Sequence, residues 1–290
     1  MRPRGHFLHQ KNMFSKYISA GIAIAILSGS SLSGASLKDE AKEAWEVHLQ
    51  ERMAAMQARL QPGNHFLWLD EEPGRIEHVR TKEAYILPMG ERIPKPVPSG
   101  LIHDWLGAGF LENTTIADVL KVLRDYDHYA EIYRPGVVAS KLNRTEGATD
   151  FFLLRFVNRS VVAKTALDSE GEASWVQVDE HRWYGYSKSS HIIEIDKPNT
   201  VEEHTLPEDH GTGLIWRLAS VVRLEERDGG VYMELEAFAL SRDIPAAFRM
   251  IAGPIVRRVS RDSMATSLHQ TKVALDKQRE GSRHNSLAAQ

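Results

Sequence analysis

GLIHDWLGAGFLENTTIADVLKVLRDYDHYAEIYRP, residues Gly100 to Pro135, decides the fold. Leu101 to Leu111 is apolar and aromatic enough for a β-strand, and Gly107 and Gly109 permit a bend or bulge in it. Thr115 and Asp118 stand three apart, a capping box with Asp in place of Glu. Ile116, Val119, Leu120 and Leu123 then recur at i, i+3, i+4 and i+7, which is one apolar face of a short helix. Asp125-Tyr-Asp-His-Tyr129 ends that helix, and Ala130 to Tyr133 leaves room for one more turn before Pro135.

Downstream the period changes from helical to strand-like. Val137–Leu142, Asp150–Asn158, Val161–Leu167, Trp175–Asp179, Arg182–Ile195, Gly213–Arg227 and Val231–Arg242 are the candidate strands. Asp228-Gly-Gly230 is a hairpin signal, because these residues accept positive φ. Before it, Leu214, Trp216, Leu218, Val222 and Leu224 share one face, while Arg217, Arg223, Glu225 and Arg227 share the other. After it, Val231, Met233, Leu235 and Ala237 alternate with Glu234 and Glu236. Such alternation describes an antiparallel sheet with one dry and one wet face. Asp243-Ile-Pro245 stops the sheet and opens a helix whose apolar stripe is Phe248, Ile251, Ile255 and Val259. Gly253-Pro254 is expected to kink or split this helix. Residues 279–290 form a polar tail.

Upstream, residues 1–35 carry Arg2, Arg4, Lys11 and Lys16, no acidic residue, and an apolar run from Ile18 to Leu27 before small residues. This is a signal-peptide layout, and the run is well short of the roughly 20 residues that a membrane-spanning helix needs. Export to the periplasm or beyond the cell follows, with an N-terminal membrane anchor as the alternative. Loss of the leader leaves 32 basic and 39 acidic residues, a net of −7, which disfavours nucleic acid and anionic membrane as partners. The chain has no cysteine, so neither a disulfide framework nor a zinc-thiolate site is available. Trp45, Leu49, Met53, Met56 and Leu60 form a helical stripe that either packs on the main domain or acts as a lid or partner-binding helix. Ile93-Pro-Lys-Pro-Val-Pro98 reads as a stiff extended linker. The resulting division is a leader at 1–35, a helical extension with its Pro-rich linker at 36–98, a main domain at 99–278 and a tail at 279–290.

Strand, helical pair, about six to seven antiparallel strands and a long C-terminal helix make an α+β order. Residues 100–278 thereby resemble the START-related helix-grip superfamily, which includes lipid-transfer, pollen-allergen-like and polyketide cyclase-like proteins. The residues that carry the resemblance are the strand at Gly100, the Asp125-Tyr-Asp127 helix end, the Asp228-Gly-Gly230 hairpin and Arg242-Asp-Ile-Pro245 before the last helix. The resemblance implies a curved sheet wrapped on the C-terminal helix, enclosing an apolar pocket. Residues 36–98 are extra to that pattern.

Chemical motifs are sparse. No phosphate-binding Gly-rich loop, HExxH or GxSxG sequence is present. His204, His210, Glu203 and Asp209 are imidazole and carboxylate groups in a Pro- and Gly-marked loop, with a spacing that fits no standard metal site. Arg217 and Glu225 belong to a solvent-facing charged ladder. Neither a cofactor nor a metal is called for. The sequence points to an exported binder or carrier of a lipid or other apolar small molecule. The pocket candidates are Trp183, His191, Leu214, Trp216, Leu218, Met233, Leu235, Phe248 and Ile251. A cyclase- or dehydratase-like enzyme using Tyr, His or Arg in the same cavity is the alternative.

Overall fold

A computed structural model describes residues 34–81, 84–159, 164–244 and 249–288. Most of the leader, Phe248 and part of the Val161–Leu167 strand lie outside the described residues. The first part of the chain forms β1 (Ala35–Ser36), α1 (Asp39–Arg59), α2 (Arg75–Thr81), β2 (Tyr85–Pro88) and β3 (Lys95–Val97). Then come β4 (Gly100–Glu112), α3 (Ile116–Leu123) and α4 (Tyr129–Ile132). The remaining strands are β5 (Val137–Glu146), β6 (Thr149–Arg159), β7 (Lys164–Gln177), β8 (Arg182–Asp196), β9 (His204–Thr205), β10 (His210–Gly211), β11 (Arg217–Arg227) and β12 (Gly230–Arg242), and α5 (Arg249–Ala288) closes the chain.

One antiparallel sheet dominates, in the order β2-β4-β12-β11-β8-β7-β6-β5, with β3 also on β4 and β9 on β8. Strands β5, β6, β7, β8, β11 and β12 run as a meander, β10 pairs with β1 in a separate two-stranded sheet, and β4 lies beside β12. Among the described residues the sheet has ten strands against the six to seven expected. The additional ones are two- to four-residue pieces, too short to show a period. One of them is the Pro-rich segment, which is an edge strand on β4 (Lys95 opposite Ile102, Val97 opposite Gly100) rather than a linker. Proline is tolerated there because an edge strand leaves some N–H groups unpaired anyway.

Local chemistry explains the joints. Asp118 N donates to Thr115 Oγ1 at 3.2 Å, and Thr115 N donates back to the Asp118 carboxylate at 3.1 Å, so the box starts α3. Asp228 and Gly229 take φ of 56° and 78°, as a two-residue hairpin between Arg227 and Gly230 requires. Helix α5 lies against the concave face, and Gly107 sets how close it comes. A Cβ at that position would stand 2.7 Å from Leu268 Cδ1 and 2.9 Å from Met264 Cγ. Helix assignment continues through Pro254 and on to Ala288, so the helix is not split at Gly253-Pro254.

The opposite face of the sheet is not wet. Residues 37–79 cover it. Trp45, Leu49 and Met56 of α1, with Phe66 to Leu69 after it, pack on Leu106, Tyr232, Phe238 and Leu240. Each fully buried side chain of this size stabilises the fold by about 1.5–3 kcal/mol. The helical stripe of α1 therefore packs on the main domain. Covered on both faces, β4 is almost continuously buried from Gly100 to Ala108.

This outer core also contains charge. Arg223 is 2% exposed and Glu234 0%. Arg223 Nε donates to Glu234 at 2.8 Å and its Nη1 to Glu236 at 3.1 Å, while Leu69 N donates to the other Glu234 oxygen at 2.9 Å. Arg52 lies 3.5 Å from Glu236 and 3.6 Å from Asp104, and His48 Nε2 lies 3.4 Å from Asp104. The solvent-facing ladder expected at these positions is thus wrong for Arg223, because an alternating charged face cannot reveal that a distant helix will cover it. Burial pushes the Asp104 carboxyl above the usual carboxylate range, against the opposing pull of His48 and Arg52.

Removing one member of such a buried pair strands its partner's charge. Arg223→Ala is therefore expected to cost about 3–5 kcal/mol, read from the denaturant midpoint. Arg223→Met combined with Glu234→Leu should recover much of that loss. A single variant that unfolds at the wild-type midpoint would show that the pair does not sit in a dry core.

Candidate functional site

A cavity of about 380 Å³ lies between the concave face and the first half of α5. Its sheet wall is Leu101, His103 and Trp105 of β4, Leu235, Ala237, Ala239 and Ser241 of β12, and Leu218 of β11. Its helix wall is Val256, Val259, Ser260, Ser263, Met264 and Ser267. Gly213 to Ile215 and Arg242 to Ile244 complete the lining.

Side-chain size explains why the space is at this end. The inward residues of β12 run Met233, Leu235, Ala237, Ala239, Ser241, shrinking along the strand. The inward residues of α5 change in parallel, from Leu275 and Leu268 to Ser263 and Ser260. At the wide end of that taper, Leu111, Val119, Leu123, Trp175, Leu224, Met233, Leu268 and Leu275 fill the concave side as an ordinary core. At the narrow end the small side chains of Ala237, Ala239, Ser241, Ser260 and Ser263 share the lining with larger ones such as Trp105, Val259 and Met264, and space is left between the walls.

The candidate residues divide accordingly. Leu214, Leu218 and Leu235 line the cavity. Met233 and Trp183 face the same side but belong to, or pack against, the filled end beside α3. Trp216 joins the outer core under α1, because it precedes Arg217, the first ladder residue, and the period-two count does not reach it. His191 is exposed and paired with Glu208 at 2.9 Å. The extra residue Ser190, opposite the step from Glu170 to Gly171, is a bulge that turns His191 to the face opposite Trp183. Ile251 falls within α5, but its side chain is outside the described residues, as is Phe248 altogether.

Groups considered for chemistry are placed elsewhere. Tyr184 and Tyr186 pack in or against the outer core. Arg217 pairs with Asp209 at 2.8 Å. Tyr126 stacks on Phe152 with ring centroids 4.5 Å apart, and the Tyr133 hydroxyl lies 3.0 Å from Thr271 Oγ1. Burial pushes both phenols above their ordinary range. In the 202–211 loop, Asp209 also holds Lys42 at 2.7 Å, and Glu203 accepts from Asn199 N at 2.6 Å. Among the described residues no group of three or more His, Cys, Asp or Glu is placed to hold a metal, and no helix is long and apolar enough to cross a membrane.

One polar pair lining the cavity was not singled out from the sequence. His103 Nε2 lies 2.9 Å from Ser241 Oγ, and both residues are more than nine-tenths buried. They are diagonal neighbours across the β4–β12 ladder, in which His103 faces Ala239 and Leu101 faces Ser241. Burial lowers the His103 imidazole from 6.5 to about 4. A ring so weakly basic is neutral at physiological pH and suits hydrogen bonding better than proton abstraction from the serine. The only signal in the sequence was a lone His in an apolar strand.

No family model matches the chain, and no curated protein matches it. Solved structures similar to it include the STAR-related lipid transfer protein of Xanthomonas axonopodis, at 15% identity and a TM-score of 0.43, over 67% of this chain and 99% of that one. Human STARD10 is similar at 10% identity and 0.43, over 69% and 76%. The Zhui aromatase/cyclase of Streptomyces sp. R1128 is similar at 10% identity and 0.38, over 61% and 94%. At these values the likeness says nothing of ligand or activity. The α+β architecture itself, a curved antiparallel sheet gripping a C-terminal helix with an added N-terminal helix, is the helix-grip arrangement.

His103 is neutral in the folded state down to about pH 4, whereas the unfolded ring protonates near 6.5. The unfolded chain therefore binds the extra proton first. The stability that this group contributes is fully present above pH 6.5 and is lost as pH falls from there towards 4. Urea unfolding across that window is expected to show wild type losing stability more steeply than His103→Gln. Parallel pH profiles would mean that the ring is not held neutral by burial.

Proposed function

We propose that this protein binds or carries an apolar small molecule, a lipid or a compound of similar character, in the cavity between its sheet and α5. The observation that carries the reading is the cavity itself: about 380 Å³, walled mostly by Leu, Ile, Ala, Val, Phe, Trp and Met, at the low end of the ~300–1,000 Å³ typical of small-molecule sites. Among the described residues, Arg242 and Asp243 are the only charged ones in its lining, and they are of opposite sign. The tyrosines and Arg217 that a cyclase-like reaction would recruit lie outside it. Export, suggested by the layout of residues 1–35, belongs to the same proposal and would place the binder outside the cytoplasm.

Organic extracts of the purified protein, analysed by mass spectrometry, are expected to contain a copurified apolar species. The neutral probe N-phenyl-1-naphthylamine should brighten on binding one site per chain. Ala239→Trp, which fills the cavity from β12, should weaken probe uptake by about tenfold or more while leaving the fold in place. A protein that carries nothing and takes up no probe would sink the proposal.

A further inference from the structure

The cavity is apolar but not featureless. Its polar groups among the described residues are the His103–Ser241 pair and the Trp105 indole N–H on the sheet wall, three serines on α5, and Arg242 with Asp243 where β12 ends. Among the described residues the charges in the lining sum to zero. A ligand bearing net charge would leave bulk water for a site with no uncompensated charge to receive it, which is costly. A wholly apolar ligand would leave the His103–Ser241 pair facing hydrocarbon with unused hydrogen-bonding capacity.

The pair has capacity of both kinds. With His103 Nε2–H donating to Ser241 Oγ, the serine proton is free for an acceptor on the ligand, its other contact being a long 3.3 Å donation to the Arg242 carbonyl. With the serine donating to the imidazole instead, the lone pairs on Ser241 Oγ accept from a ligand donor. Either arrangement involves only neutral groups. The neighbouring wall residues Leu101, Ala237 and Ala239 carry no polar side-chain atom, and the Trp105 indole N–H, buried without a hydrogen-bond partner, can only donate, so this pair is where a ligand hydroxyl would find an acceptor on the sheet.

We infer that the cavity selects an apolar molecule bearing one uncharged hydrogen-bonding group, a hydroxyl or a carbonyl, seated on the His103–Ser241 pair. The inference rests on the binding reading above and sharpens it from shape to ligand chemistry.

The test compares naphthalene, 2-naphthol and 2-naphthoate as competitors of N-phenyl-1-naphthylamine on the full chain. Wild type is expected to bind 2-naphthol about five- to tenfold tighter than naphthalene, the worth of one hydrogen bond, and 2-naphthoate no tighter than naphthalene. Ser241→Ala should erase the preference for 2-naphthol over naphthalene, and continued uptake of N-phenyl-1-naphthylamine by that variant reports that the cavity is intact. Ser241→Thr, which restores a hydroxyl, should regain the preference. His103→Phe gives a second, independent removal of the pair. Equal affinity for naphthalene and 2-naphthol would overturn the inference and leave the binding reading standing. So would a preference for 2-naphthol that Ser241→Ala does not alter. Tightest binding of 2-naphthoate would overturn it in favour of recognition by Arg242. If none of the three binds and the probe is not taken up, the binding reading fails, and the inference with it.

Discussion

A guanidinium with no access to water links the two parts of this molecule. Arg223 carries a full charge at the centre of β11, and the cost of desolvating it is met by Glu234 and Glu236 on the neighbouring strand. Those carboxylates need further donors in turn. Glu234 takes the backbone N–H of Leu69, and Glu236 has Arg52 within ion-pairing distance. Both contacts come from the segment before β2, so the outer face of the sheet is satisfied only when α1 and the residues after it are in place. The extension is therefore part of the fold's electrostatics and not an appendage to it.

With the outer face dry, the sheet serves two cores at once, and alternation along each strand assigns residues between them. Asp104 and His103 are adjacent on β4 and face opposite ways. Asp104 joins the charged cluster under α1, and His103 joins the cavity wall under α5. Burial pushes the titration of each towards its neutral form, upward for the acid and downward for the base. Consecutive residues thus belong to different environments separated only by the thickness of a strand.

The fold was largely legible in the sequence because its signals are local. The Thr115–Asp118 box, the Asp228-Gly229 turn and the period-two runs of β11 and β12 each depend on neighbours along the chain. What was not legible depends on distant residues. Nothing around Arg223 announces that α1 will cover it, and β7 reads as two strands because its middle, Asp168 to Glu172, is polar. The site was read in part for the same reason. Leu218 and Leu235 follow from strand alternation and Leu214 lines the cavity from the loop before β11, whereas His191 is misplaced by one bulge residue and Trp216 by the strand beginning one residue later. The decrease in side-chain size from Met233 to Ser241 was present in the sequence. It becomes a cavity only when α5 lays its own small residues opposite.

That taper has a consequence for how such a protein changes over generations. The void is bordered by small groups at Ala237, Ala239, Ser260 and Ser263; the two alanines take part in the β4–β12 ladder through their backbone, and none of the four belongs to the outer charge cluster. Single substitutions at these places resize the interior a few atoms at a time, while the filled core beside α3 and the charged core under α1 stay as they are. A lineage built on this scaffold is free to exchange one guest for another without renegotiating its architecture.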